Sequence, residues 1–141
     1  MPFAYVWGDA LDAVGKRRPD AWIVNLETAV TRADDTWPKG INYRMNPDNL
    51  PCLVVAGVDC CVLANNHVLD WGLDGLIETL EVLERVGIKT TGAGRNLEEA
   101  AAPAILQLPG EGRALVYAFA CPSSGVPQWV PPRATGPGSI S

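Results

Sequence analysis

The sequence contains a single histidine, at position 67, and no long run of basic residues. Its 11 Lys and Arg residues are outnumbered by 16 Asp and Glu residues, which gives a formal net charge of -5 and a pI near 4.7. Proteins that bind nucleic acids or anionic membranes neutralise phosphate groups with clustered basic side chains. The shortage of positive charge therefore argues against a nucleic-acid partner.

Long apolar runs and paired cysteine motifs are also missing. No apolar run approaches the roughly 18 residues that a membrane span needs, and the first residues lack the charged-then-apolar plan of a secretory signal. These absences predict a soluble chain without a membrane span. The four cysteines show no CxxC spacing, and three of them lie within apolar runs. We interpret them as buried free thiols rather than metal ligands or disulfide partners.

The composition is sufficient for one core of ordinary size. With 141 residues, of which 48% are apolar, about one domain is expected. We predict that this domain covers residues 1–121. Residues 122–141 are rich in Pro, Gly and Ser and show no periodic pattern. This part is therefore predicted to be a loop or a frayed tail.

Alternating strand and helix signals predict an α/β fold. Continuous apolar runs at residues 21–24 and 59–64 are typical of buried strands, and a third strand is expected to begin at Ile88. The segments PAILQL and ALVYAFAC, separated by PGEGR, resemble a hairpin.

Four segments have helical patterns, and the clearest begins at Leu73. Shorter helices are expected between Asp9 and Pro19, over residues 49–56 and over residues 97–101. The long helix has apolar residues at steps of three and four, ending at Gly87. The residues expected on its buried face are Leu73, Leu76, Ile77, Leu80, Leu83 and Val86.

Polar side chains follow both predicted buried strands. Asn25 and Glu27 follow the first strand, and Asn65, Asn66 and His67 follow the second. In open α/β sheets, ligands bind beyond the carboxyl ends of the strands. Carboxylates, carboxamide oxygens and imidazoles are ligands that hard or borderline divalent cations accept. The pattern therefore predicts one cleft that contains these five residues.

Each residue also has a simpler structural interpretation, and the sequence alone leaves both open. Asn25 and Asn65 are suited to capping turns. Glu27 is equally consistent with a solvated loop carboxylate, and a lone His67 with a structural histidine. We interpret Asp70 as a residue that starts a helix, in preference to a catalytic residue. The conjunction of these residues, rather than any one of them, favours a site.

Three motifs carry a family resemblance: NLET (residues 25–28), ANNH-x-x-D-x-G (64–72) with the helix after it, and GAG-x-N (92–96). Together they resemble the poly-γ-glutamate capsule biosynthesis (CapA-type) proteins of the metallophosphatase, or calcineurin-like phosphoesterase, superfamily. The resemblance runs from about Phe3 to Trp129. It implies part of a four-layer α/β/β/α sandwich whose strand ends hold two divalent metal ions, such as Mn, Fe or Zn.

The resemblance also implies roles for individual residues. Asn66 is implied to be a metal ligand through its side-chain oxygen, Glu27 to supply a carboxylate, and Asn25 to be a ligand or to support one. His67 is implied to be the general acid, or the cation that stabilises the phosphoryl oxygens. Metal-bound hydroxide would attack a phosphoester. Asn65 and Asp70 are further candidate site residues.

Two features of the family are missing from this sequence. Family members begin with a strand that carries an aspartate motif, and they have histidines near the carboxyl end. We therefore expect a fragment that is inactive on its own. The resemblance implies a phosphoester or an anionic polymer as the substrate, a capsule synthase complex as a partner, and the cell envelope or cytoplasm as the compartment, which the sequence itself does not identify.

A second hypothesis is a non-catalytic protein that binds an anionic polymer or a synthase partner. Lys39, Arg44 and Arg95 would then form a basic rim, if loops bring them together. A third is a truncated product without activity.

Overall fold

The computed structural model describes residues 1–125 of the protein. Four α-helices occur in this part of the chain: α1 (Ala10–Arg17), α2 (Pro51–Ala56), α3 (Gly72–Arg85) and α4 (Leu97–Ala101). Seven short strands accompany them: β1 (Ile23–Asn25), β2 (Ala29–Val30), β3 (Arg44–Met45), β4 (Cys60–Val62), β5 (Lys89–Thr91), β6 (Ala104–Gln107) and β7 (Arg113–Val116). Short 3-10 helices cover Phe3–Trp7, Pro47–Asn49 and Pro122–Ser124. The predicted mixed α/β fold is confirmed.

The strands form one parallel sheet and two smaller pairs. The parallel sheet has the order β1-β4-β5, and its register aligns Asn25 with Val62 and Val62 with Thr91. β2 and β3 form a parallel pair, whereas β6 and β7 form the predicted antiparallel hairpin. Since β1 and β4 are parallel neighbours, the polar residues that follow them leave the sheet at the same edge.

The predicted apolar face of α3 is confirmed in its centre and wrong at its ends. Leu76, Leu80 and Leu83 are buried in the main core, but Leu73 and Val86 are 42% and 41% exposed. Both lie at helix ends, beyond the part of α3 that packs on the sheet. Val82 and Thr79 are buried as well. Thr79 tolerates burial because its hydroxyl donates to Gly75 O at 2.7 Å and accepts from Val30 N at 2.9 Å.

The two predicted buried strands differ in exposure. In β4, Cys60 and Cys61 are completely buried, and burial raises the pKa of the Cys61 thiol to about 12. Such a thiol is protonated and unreactive at neutral pH, as expected for a core residue. The prediction of a buried strand at residues 21–24 is wrong, because β1 lies at an edge of the sheet. Its first residue, Ile23, is 42% exposed.

Glycines end two helices and allow one close approach. Gly57 and Gly87 adopt left-handed conformations after α2 and α3, as the sequence predicts. Gly92 has a φ of 88°, and a Cβ there would lie 2.6 Å from the Ala64 Cβ and 2.9 Å from Ala64 N. Only glycine fits this position, so the chain after β5 packs directly against the turn that follows β4.

Within residues 1–125, no helix is long and apolar enough to cross a membrane. The predicted tail begins with the 3-10 helix Pro122–Ser124, and residues 126–141 of that prediction lie outside the described residues.

We expect Leu80→Ala to lower the free energy of unfolding by about 2 to 5 kcal/mol, because it removes buried methyl groups and leaves a cavity. Leu73→Ala is the matched control on the same helix; it should change the free energy by about 0.5 kcal/mol or less. Chemical denaturation of both variants measures the difference. Equal effects would contradict the assigned buried face.

Candidate functional site

Asn65 joins the ends of β1 and β4. Its side-chain nitrogen donates to Asn25 Oδ1 and to the main-chain oxygen of Leu26, both at 3.0 Å. Its side-chain oxygen accepts from the main-chain nitrogen of His67, also at 3.0 Å. Asn65 is buried, so these bonds satisfy an amide that would otherwise be costly to bury. Asn65 therefore braces two strand ends and sets the position of the histidine.

The imidazole of His67 is buried against the carboxylate of Asp70. His67 is 8% exposed and Asp70 is completely buried, and Nδ1 of the ring lies 2.7 Å from Asp70 Oδ2. Because an ionised carboxylate only accepts hydrogen bonds, this contact assigns the proton to Nδ1. Within residues 1–125, Nδ1 is the only atom of the His67 side chain with a hydrogen-bond contact, while the main-chain nitrogen and oxygen of His67 bind Asn65 Oδ1 and Asp70 N. Nε2 is therefore the ring nitrogen available to a ligand.

Asp70 binds a second segment of the chain as well as the imidazole. Its Oδ2 accepts from Tyr43 N at 2.5 Å, and its main-chain oxygen accepts from Trp37 N at 2.9 Å. Its Oδ1 accepts no hydrogen bond of good geometry, but it forms an ion pair with the ammonium group of Lys39. A buried carboxylate needs such compensation, because desolvation strongly disfavours its charge.

The interpretation of Asp70 as a helix-start residue is wrong. The residue that precedes α3 is Trp71, and no side chain caps the helix there. The carboxylate turns instead toward His67 and Lys39, because those groups offer it a ring N–H and a positive charge.

Two residues that contact this site were missed or misjudged by sequence reasoning. The ring of Tyr43 stacks on the His67 imidazole, with centroids 4.2 Å apart and an angle of 24° between the planes. The ammonium group of Lys39 donates to Asn66 O at 2.6 Å and lies 3.3 Å from His67 Nδ1. Neither residue belongs to a periodic pattern, and both lie more than 20 positions before His67 in the chain. No local signal identifies such contacts.

The predicted basic rim of Lys39, Arg44 and Arg95 does not form in the described structure. Lys39 is directed inward to Asp70. Arg44 lies over the ring of Trp71, 4.1 Å from its centroid, and also pairs with Asp34. The third residue, Arg95, contacts the carboxylates of α3 and α4, which lie outside this cluster. The acidic residues that it contacts are Glu84 and Glu99.

The five predicted polar residues do not all join one network. Asn25, Asn65 and His67 are connected by hydrogen bonds, which continue to Asp70. Glu27 is exposed, and its side chain makes no hydrogen bond or ion pair within residues 1–125. The side chain of Asn66 likewise forms no hydrogen bond there, although its main-chain oxygen binds Lys39.

The donor types at this edge of the sheet suit a divalent cation, but their number is small. Glu27 offers a carboxylate, and Asn25 and Asn66 offer carboxamide oxygens. Asp70 is already neutralised by Lys39. Across residues 1–125, no group of three or more His, Cys, Asp and Glu side chains is placed to hold a metal ion. Each of two ions takes about four to six ligands. The donors within residues 1–125 are therefore of the chemical types that a two-metal site uses, but they are too few to form one.

The parallel sheet places the protein among α/β proteins, a class in which ligands commonly bind beyond the carboxyl ends of the strands. Residues 1–136 match the family described as bacterial capsule synthesis protein PGA_cap. The chain belongs to this family, and the resemblance of its motifs to capsule biosynthesis proteins is confirmed.

Curated proteins from two organisms are similar to the chain. A probable polyglutamine synthesis accessory protein of Mycobacterium tuberculosis is 40% identical over 140 residues in strains CDC 1551 and H37Rv, which covers 98% of this chain and 37% of the relative. An uncharacterized protein of Sinorhizobium fredii is 32% identical over 117 residues, covering 79% of this chain and 25% of the relative. The chain thus spans little more than a third of the length of the mycobacterial relatives.

We expect Asn65→Ala to lower the free energy of unfolding by about 1 to 3 kcal/mol, because it leaves Leu26 O and His67 N without their partner. The neighbouring substitution Asn66→Ala is the control, since that side chain has no hydrogen bond within the described residues. It should change the free energy by about 0.5 kcal/mol or less. Urea denaturation tests the contrast, and equal losses would refute the bracing role of Asn65.

Proposed function

We propose that this chain supplies part of a metal-dependent phosphoesterase-like site in a protein of capsule or poly-γ-glutamate synthesis. One observation carries the proposal: Asn25, Asn65, His67 and Asp70 form a continuous hydrogen-bonded series at the ends of adjacent parallel strands. The proposal includes a four-layer α/β/β/α sandwich, of which the described elements would be one part.

His67 is the proposed acid or electrostatic group of the reaction. With Nδ1–H directed to Asp70, the ring presents Nε2 to a bound phosphoester. A protonated Nε2 would donate its proton to the leaving oxygen, or interact with the phosphoryl oxygens through its positive charge. Tyr43 holds one face of the ring, which limits its rotation.

Glu27, Asn25 and Asn66 are the proposed metal ligands of this chain. Two divalent ions, Mn, Fe or Zn, would supply an activated water and stabilise charge on the phosphoryl group. Glu27 and Asn66 support this role because their side chains are not used within the described fold. The site needs further donors from outside residues 1–125.

We expect the chain to bind Mn²⁺ or Zn²⁺ weakly and at less than one ion per chain, and we expect Glu27→Ala with Asn66→Ala to abolish this binding. Equilibrium dialysis measures the bound metal. Glu81→Ala with Asn49→Ala is the matched control, because it removes the same two groups from another part of the surface, where both side chains are exposed and neither makes a hydrogen bond within residues 1–125. Binding that survives in the Glu27/Asn66 variant would remove these ligands from the proposal.

We expect His67→Ala to lower the turnover of a phosphomonoester or phosphodiester by roughly 10² to 10⁴, the range for a positioned acid–base group. Metal content should stay nearly unchanged. The assay uses the longest protein encoded by the same reading frame, with the 141-residue chain beside it, for which we expect no measurable turnover. A parallel loss of stability, metal and activity would instead make His67 a structural residue.

A second candidate is a non-catalytic role in a synthase complex, favoured by the word accessory in the name of the mycobacterial relatives. Such a protein would bind an anionic polymer such as polyglutamate, or a synthase partner, in the cell envelope or cytoplasm. The net charge of -5 makes attraction of a polyanion unfavourable, so a protein partner is the better form of this candidate. Metal-independent binding to the synthase, without turnover by the full-length protein, would support it.

A further inference from the structure

We propose that Lys39 is a positioning residue for His67. Its ammonium group holds the Asp70 carboxylate and the Asn66 carbonyl together, and it thereby fixes the orientation in which the imidazole presents Nε2. The inference rests on the proposed function, because it concerns the same histidine. Its test does not depend on turnover.

Lys39 contacts two residues that flank the imidazole: Asn66, which directly precedes His67 in the chain, and Asp70, whose carboxylate binds the ring. Its Nζ forms an ion pair with Asp70 Oδ1 and donates to Asn66 O at 2.6 Å. The side chain is 23% exposed, so its charge is largely removed from water and depends on these partners. One ammonium group therefore links the residue immediately before His67 to the carboxylate that accepts from its ring.

Lys39 belongs to a segment, residues 37–43, that is fastened to Asp70 at three points. Trp37 N donates to the main-chain oxygen of Asp70, Lys39 pairs with Oδ1, and Tyr43 N donates to Oδ2. The last residue of the segment, Tyr43, stacks on the imidazole. We call residues 37–43 the clamp segment, because it binds the carboxylate on one side of His67 and covers a face of the ring.

The geometry assigns Lys39 a positioning rather than a substrate-binding role. Its Nζ lies 3.3 Å from Nδ1 and makes no hydrogen-bond contact with Nε2, the ring nitrogen proposed to face the substrate. Its charge is already balanced by Asp70. Without it, Asp70 would keep only the N–H donors of Tyr43 and of the His67 ring, and the Asn66 carbonyl would lose its side-chain donor. The ring would then have a less restricted orientation.

The test uses the fact that the chain has a single histidine. In a sample labelled with ¹⁵N in histidine, a long-range ¹H–¹⁵N spectrum at one fixed pH reports which ring nitrogen carries the proton. A nuclear Overhauser cross-peak between the rings of Tyr43 and His67 reports their stacking. We expect the unmodified chain to show Nδ1–H and the cross-peak. Absence of either would overturn the proposal without any variant.

We expect Lys39→Met to lose the cross-peak and the unique Nδ1–H signal while the circular dichroism spectrum stays native. Lys16→Met, which removes an exposed lysine at the end of α1, should leave both signals unchanged. If Lys39→Met does not fold, Lys39→Gln is measured, since it retains a donor but lacks the charge and length to reach both partners. A folded Lys39 variant with both signals intact would overturn the proposal. Loss of the signals would support it even if the full-length protein shows no phosphoesterase turnover.

Discussion

The buried carboxylate of Asp70 is the group on which the arrangement of the site depends. It receives a ring N–H from His67, a main-chain N–H from Tyr43 and the charge of Lys39, so three separate parts of the chain meet at one side chain. Removing a carboxylate from water is costly unless each lone pair finds a donor. The start of α3, the clamp segment and the turn after β4 are therefore mutually dependent, and His67 is placed by all of them.

A second constraint comes from the parallel sheet. β1 and β4 end side by side, and the amide of Asn65 spans the gap between them through Asn25 Oδ1 and Leu26 O. On the other side of β4, Gly92 lets the chain after β5 approach Ala64 more closely than any side chain would permit. The turn that carries His67 is thus held from both neighbouring strands, which gives the imidazole a rigid base.

The sequence predicts local features of this fold better than distant contacts. The centre of α3, the glycines that end α2 and α3, and the placement of polar residues after two strands follow from periodicity and turn chemistry. The roles of Asp70, Lys39 and Tyr43 do not, because each depends on a partner brought close only by the folded chain. Even Leu73 was misjudged, since an apolar residue in the right helical phase is buried only where something packs against it.

The two adjacent asparagines illustrate how one turn uses one side chain for hydrogen bonds inside the protein and leaves the next without a hydrogen bond in residues 1–125. Asn65 points into the protein and uses both ends of its amide to hold the strands and the main chain of His67. Asn66 binds Lys39 through its main-chain oxygen, and its side chain makes no hydrogen bond within the described residues. The backbone of Asn66 is held in place by Lys39, whereas its side chain makes no hydrogen bond in this part of the chain. The carboxamide is therefore positioned while its oxygen and nitrogen keep their hydrogen-bonding capacity. The same is true of the imidazole, whose Nδ1 is bound to Asp70 and whose Nε2 makes no hydrogen bond in residues 1–125. Under the proposed function, these pre-positioned polar atoms are the ones that would contact a metal ion or a phosphoryl group.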